Sequence, residues 1–252
     1  MIKALLARLR QGYRTGKFPD LPPVLPDRFA GIPAVCKEKL TDAAREVCPV
    51  KAISKNGSVD LGRCIFCGKC EEICPEGIRF TQEYRMGSTS RQHLIVPDNE
   101  PWQASENPEL RALCGKSFKI RQISAGGCNA CELDFNVLNT LAWDIGRFGI
   151  QVVASPRHAD ALLVTGPVSD NMRIALEKSY KAMPKPSFVI AGGACAISGG
   201  LYAQGTTAGG VDTILPVDMY VPGCPPHPAV MLEALIRLIS GKCGKPVNSK
   251  VE

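Results

Sequence analysis

Cysteine is the residue in this chain whose number and spacing most plainly imply chemistry, with twelve among 252 residues. Cys64, Cys67, Cys70 and Cys74-Pro75 form a C-x2-C-x2-C-x3-C-P run without deviation. Spacings this short let three thiolates from one loop wrap one side of an iron–sulfur cubane. Zinc is the competing reading, but its sites favour two C-x2-C pairs held apart by a longer segment. Further along, Cys128 and Cys131 lie in GGCNACE, Cys195 in GGACAISGG and Cys224 in VPGCPPHP. The glycines beside them permit positive φ and close backbone approach, which turns amide N–H donors toward cluster sulfur. In a reducing compartment such clustering reads as ligation, not as a disulfide framework.

The second group of cysteines needs a scaffold, because its members are far apart in sequence. From Phe118 onward the pattern is one of alternating strands and helices. KIRQIS, QVVAS, ALLVTG, SFVIAG and a short stretch in ILPVDMYV read as strands, and Leu133–Ile145, Asp170–Met183 and Ala229–Ser240 as helices. That alternation predicts a flavodoxin-like α/β domain, a parallel sheet covered on both faces, over residues 118–252. Each cysteine segment follows a strand. Ligands of open parallel sheets bind beyond the carboxyl ends of the strands at the switch point, so three remote segments can converge on one cluster there.

The first group belongs to a duplicated half-domain. Aligning TDAAREVCPVKAI with the segment around Cys67–Arg79 superposes Cys48-Pro49 on Cys74-Pro75 and Val47 on Ile73. The region resembles the bacterial ferredoxins, which implies an α+β ferredoxin-like 4Fe-4S domain over residues 31–85. In the two-cluster members of that family the fourth cysteine of each motif serves the other cluster. The resemblance therefore assigns Cys48, Cys64, Cys67 and Cys70 to one cluster. Glu38, Thr41 and Ala44 occupy the positions equivalent to Cys64, Cys67 and Cys70, so the second site has lost its three-cysteine loop. Ala43, Ala44 and Val47 are expected to fill the vacated space. Cys36 and Cys74 are left as a thiol pair or as buried small residues, with the second use expected. Residues 1–30 form a basic amphipathic helix and a proline-rich spacer, and residues 86–117 are the expected linker.

GGCNACELD, RFGIQVV, SPRHADALLVTGPV, GACAISGG and ILPVDMYVPGCPPHP together resemble the small subunit of the energy-converting NiFe hydrogenases, formate hydrogenlyase in particular. The quinone-pocket iron–sulfur subunit of respiratory complex I shares this core but typically carries adjacent cysteines where this chain has Cys128-x-x-Cys131. The resemblance implies that Cys128, Cys131, Cys195 and Cys224 bind a proximal 4Fe-4S cluster facing the active site of a separate large subunit. RQGYRTGKFPD, followed by its cysteine run, is similar to the ferredoxin-type adaptor subunits of the same complexes. The expectation is a cytoplasmic electron-transfer subunit with two 4Fe-4S clusters, held peripherally on the cytoplasmic face of the inner membrane through partner subunits. Its implied partners are a hydrogenase-type large subunit and further iron–sulfur and membrane subunits. A nickel-free or quinone-reducing complex is the alternative, and the chain itself carries no nickel-ligand motif.

Composition excludes other classes. With 45% apolar and 21% charged residues the chain is an ordinary globular protein, and no apolar run reaches the length of a membrane span. The formal charge of +6 falls to roughly +2 once two clusters each add about two negative charges, which weakens any case for nucleic-acid binding. No P-loop, GxGxxG fingerprint or nucleophile–base pair is present. Lys3, Arg8, Arg10, Arg14 and Lys17 accompany Ile2, Leu5, Leu6 and Leu9 with no acid before residue 18. Packing on its own domain or a partner subunit is the expected use of this helix, and contact with anionic lipid the alternative. Cys114 and Cys243 read as small apolar residues. Glu132 reads as a cluster-tuning, proton-relaying or helix-capping acid, and His158 and His227 as hydrogen-bonding groups near the cluster or an interface.

Overall fold

A computed structural model of the chain describes residues 2–12, 15–97, 112, 117–241 and 243–246. The amphipathic helix is present as α1 (Ile2–Gln11), but none of its residues is buried, so it does not pack on its own domain. The spacer after it is docked at its start, where Phe18 is buried against Tyr84 and Trp143.

The first half is built from short elements. β1 (Pro33–Val35) pairs antiparallel with β3 (Ile78–Phe80), and β2 (Val59–Asp60) pairs antiparallel with β4 (Ile95–Val96). Between them lie α2 (Asp42–Glu46) and α3 (Lys69–Ile73), which stand at nearly equivalent places in the sequence repeat. Thr41 caps α2, its hydroxyl accepting from the Ala44 amide. Ala44 is buried in the same apolar cluster as Val35, Leu40, Cys70, Cys74 and Ile78, with Val47 half-buried against it. Ala43, expected in that filling, is instead exposed, because it stands about 100° around the short helix from its buried neighbour Ala44. Cys74 donates from its thiol to the Lys39 carbonyl at 3.1 Å.

Residues 86–97, within the segment expected as a linker, are fixed in place. Ser88 bridges Tyr220 through both backbone groups, at 2.9 and 2.7 Å, and β4 completes the pair with β2. Leu61, Tyr84, Met86, Leu94 and Val96 join one continuous core with the residues of the second half.

That second half is a parallel sheet in the order β6–β5–β7–β8–β9, made of β5 (Phe118–Ser124), β6 (Ile150–Val152), β7 (Ala161–Thr165), β8 (Phe188–Gly192) and β9 (Met219–Val221). β7 and β8 are buried at every position, as central strands covered on both faces must be. In chain order the arrangement is 2-1-3-4-5, the flavodoxin-like order, whose switch point lies between β5 and β7. The helices are α4 (Ala130–Val137), α5 (Asp170–Lys181), α6 (Ala194–Ser198) and α7 (Pro228–Ser240). α4 ends at Val137, short of the expected Ile145, and the chain continues through turns to a 3-10 turn at Ile145–Phe148. α7 is buried along nearly its whole length, including Glu233 and Arg237, which face each other at 3.5 Å. Among the described residues no helix is long and apolar enough to cross a membrane.

Candidate iron–sulfur sites

The first site forms around the loop that runs from β2 into α3. Cys48, Cys64, Cys67 and Cys70 all line one pocket, whose remaining wall is mostly apolar, with Ile53, Val59, Ile65, Ile78 and Phe80. Gly68, with φ +76°, lets the chain turn from Cys67 into α3. Two amides point at thiol sulfur, Ala52 N–H at Cys48 Sγ (3.2 Å) and Phe66 N–H at Cys64 Sγ (3.3 Å). Burial pushes the Cys64 thiol up to about 12, with Cys70, Cys48 and Cys67 adding to it. Cys70 rises to about 11 for the same first reason, with Cys48 and Cys67 contributing. Two buried thiols that resist ionising, Cys64 and Cys70, stand with two further thiols as a donor set for a cation-rich group, which makes several thiolates compatible at this spacing.

The second site is drawn from the carboxyl ends of β5, β8 and β9. The turn after β5 carries Cys128 and leads into α4 with Cys131, the turn after β8 opens α6 with Cys195, and the turn after β9 carries Cys224. Burial lifts Cys131 to about 12, followed by the charges of Glu132, Cys195, Cys224 and Cys128. Cys195 rises to about 11, from burial and then from Cys224 and Cys128. The four thiols therefore lie within electrostatic reach of one another. A Cβ on Gly193, where φ is +92°, would stand 2.7 Å from Cys131 Sγ, and one on Gly200 would stand 3.0 Å from Cys195 Sγ. The glycines of GGACAISGG thus clear room for sulfur.

Glu132 is 7% exposed and accepts a hydrogen bond from the Thr165 hydroxyl at 2.7 Å, while Gln122 donates to that hydroxyl at 3.0 Å. It is more than a solvent-facing helix cap, since it adds negative charge beside Cys131 and Cys195. His227 caps α7, its Nδ1 accepting from the Ala229 amide at 3.1 Å, and its ring meets the edges of Phe29 and Trp143. His158 is exposed. Cys243 departs from its expected apolar role: it is exposed, its thiol lying 3.6 Å from Glu233 Oε1 and 3.9 Å from Arg85 Nη1. Cys114 lies outside the described residues.

The two sites adjoin. The Ser198 hydroxyl, three residues past Cys195, donates to the Gly62 carbonyl, two residues before Cys64, at 2.9 Å. Arg91 clamps Asp60 with two bonds, at 2.8 and 2.7 Å, on the same loop. Cys224 is exposed as a residue, yet partial burial raises its thiol, with Cys128 and then Cys67 of the first site adding to the effect. Sequence spacing gave no sign of this junction, since Gly62 lies outside both cysteine motifs and nothing in GGACAISGG marks Ser198 as its partner.

Cysteines gathered at the carboxyl ends of parallel strands, beside a second cysteine loop, mark an iron–sulfur protein, and the comparisons agree. Residues 128–238 match the family described as NADH ubiquinone oxidoreductase, 20 Kd subunit, and residues 58–80 match the 4Fe-4S binding domain. The probable membrane-bound hydrogenase subunit mbhJ of Pyrococcus furiosus is 37% identical over 57% of this chain and 86% of its own length. Formate hydrogenlyase subunit 7 of Escherichia coli is 42% identical over 51% of each chain. An NADH-quinone oxidoreductase subunit of Saccharopolyspora erythraea is 40% identical over 50% of this chain and 58% of its own. The chain belongs to the 20 kDa subunit family of NADH ubiquinone oxidoreductase, which includes subunits of hydrogenases and formate hydrogenlyase. It also carries a 4Fe-4S binding domain ahead of that unit.

Proposed function

We propose that the chain is the electron-relay subunit of a membrane-associated complex of the NiFe-hydrogenase type, with two 4Fe-4S clusters in series. Cys48, Cys64, Cys67 and Cys70 would hold the outer cluster, in a lobe of ferredoxin-like α+β type. Cys128, Cys131, Cys195 and Cys224 would hold the inner one. The observation that carries the reading is the junction of the two cysteine-bearing segments through Ser198 and Gly62. Each cluster supplies a one-electron couple, and the protein's part is to bind, screen and tune it. The Ala52 and Phe66 amides stabilise negative charge on cluster sulfur, whereas Glu132 opposes added charge at the inner site. The names of the relatives, a membrane-bound hydrogenase, formate hydrogenlyase and NADH-quinone oxidoreductase, support a large catalytic partner with further iron–sulfur and membrane subunits. The chain would sit peripherally on the cytoplasmic face of the inner membrane. The C-x2-C spacing of Cys128 and Cys131 favours the hydrogenase side over the nickel-free or quinone-reducing alternative.

The test is anaerobic purification followed by iron and sulfide analysis, with about eight of each expected per chain. About twelve iron would mean that the degenerate repeat is occupied, and zinc in place of iron would refute the reading. In the assembled complex, Cys67→Ala should leave hydrogen–deuterium exchange intact while donor-linked turnover falls sharply. Cys195→Ala should abolish both or prevent assembly. Full donor-linked turnover in Cys67→Ala would take the outer site off the electron path.

A further inference from the structure

We propose that α1 is an anchor that lays the chain on an anionic lipid surface. At about 100° per residue, Ile2, Leu5, Leu6 and Leu9 fall within an arc of about 100°. Lys3 and Arg10 flank that stripe on one side and Arg8 on the other. All four apolar residues are exposed, from 47% at Leu6 to 76% at Ile2, so the stripe finds no cover on this chain.

The charge pattern decides what does cover it. Cations on both borders of an apolar stripe match a membrane interface, where long basic side chains reach back to headgroup phosphates while the stripe enters the acyl boundary. The same pattern disfavours a second copy of the helix, since pairing two stripes would bring Lys3, Arg8 and Arg10 against their counterparts with no acid in residues 1–17.

The helix is also well placed to act on the whole molecule, because the chain just after it is bolted to the second half. The Gly16 amide donates to the Ala142 carbonyl at 2.9 Å, and Arg147 donates to the Gly16 and Phe18 carbonyls at 2.7 and 2.9 Å. Phe18 is buried there, and Leu141 nearby is 66% exposed. Insertion of α1 would therefore tether the second half within a few residues' reach of the lipid surface. This inference stands on α1 alone and is independent of the cluster assignment.

Flotation of the full-length chain with lipid vesicles tests it. The protein should float with vesicles containing phosphatidylglycerol and not with pure phosphatidylcholine, and about 0.5 M salt should release it. Leu5→Glu with Leu9→Glu should abolish flotation, and Lys3→Glu with Arg10→Glu should weaken it by at least about tenfold. These residues are exposed, so an unchanged visible spectrum and thermal midpoint would verify that the body is intact. Failure of the wild-type chain to float, equal flotation of the leucine variant, or self-association through α1 without flotation would each overturn the proposal.

Discussion

The two cysteine sets reach the same kind of donor group by opposite routes. The first draws three of its four thiols from the seven residues between Cys64 and Cys70, and its geometry is largely that of one loop. The second gathers Cys128, Cys131, Cys195 and Cys224 from three strand ends, so it exists only once the sheet has its order. A local site should tolerate change nearby, whereas a site assembled by tertiary structure should fail when the strand-end turns are altered.

The largest contrast is expected between two glycines that both have positive φ. Gly193→Ala forces a Cβ to 2.7 Å from Cys131 Sγ and strains a backbone at φ +92°, ψ 157° that glycine alone adopts readily. Gly68→Ala meets nothing within 4 Å and carries only the left-handed penalty, about 1 kcal/mol. Iron analysis should find Gly193→Ala reduced from about eight to about four iron per chain, with Gly68→Ala near the wild-type value. Equal losses in the two variants would erase the distinction between the sites.

A smaller effect should follow from the buried acid that the second site has and the first lacks. Thr165→Val deprives the Glu132 carboxylate of its hydroxyl donor, which costs about 1–3 kcal/mol for a buried group. The thermal midpoint should fall, and Thr165→Ser should restore most of it. A valine variant as stable as wild type would show that the hydroxyl donor to Glu132 contributes nothing.

The smallest effect concerns pH, again at the second site. Burial depresses the His227 pKa below its ordinary 6.5, and its unprotonated Nδ1 caps α7. The unfolded chain takes up the proton first as pH falls. The stabilisation is therefore complete above about pH 6.5 and is lost progressively below it, toward the lower folded value. His227→Asn, which keeps a capping side chain but cannot titrate, should flatten the stability profile between about pH 6.5 and 5 relative to wild type. Parallel profiles for the two proteins in chemical denaturation would remove His227 from the pH response.

The sequence alone determined the chemistry and much of the scaffold. A C-x2-C-x2-C-x3-C-P run is a local code, and β7, β8 and α7 announced themselves through apolar runs and periodicity that depend on neighbours in the chain. Alignment of the repeat set Glu38, Thr41 and Ala44 opposite Cys64, Cys67 and Cys70, and Ala44 is buried in the same apolar cluster as Cys70. The α4 boundary was not, because Leu138–Ile145 keeps an apolar pattern while its backbone turns to bring Ile145 back onto Leu138. Tertiary structure alone decided that residues 86–97 are clamped through Ser88 and β4, that Glu132 meets Thr165, and that Ser198 reaches Gly62. Each of these contacts joins residues 33 to 136 positions apart, a separation at which side-chain type and spacing carry no information until the sheet order brings the partners together.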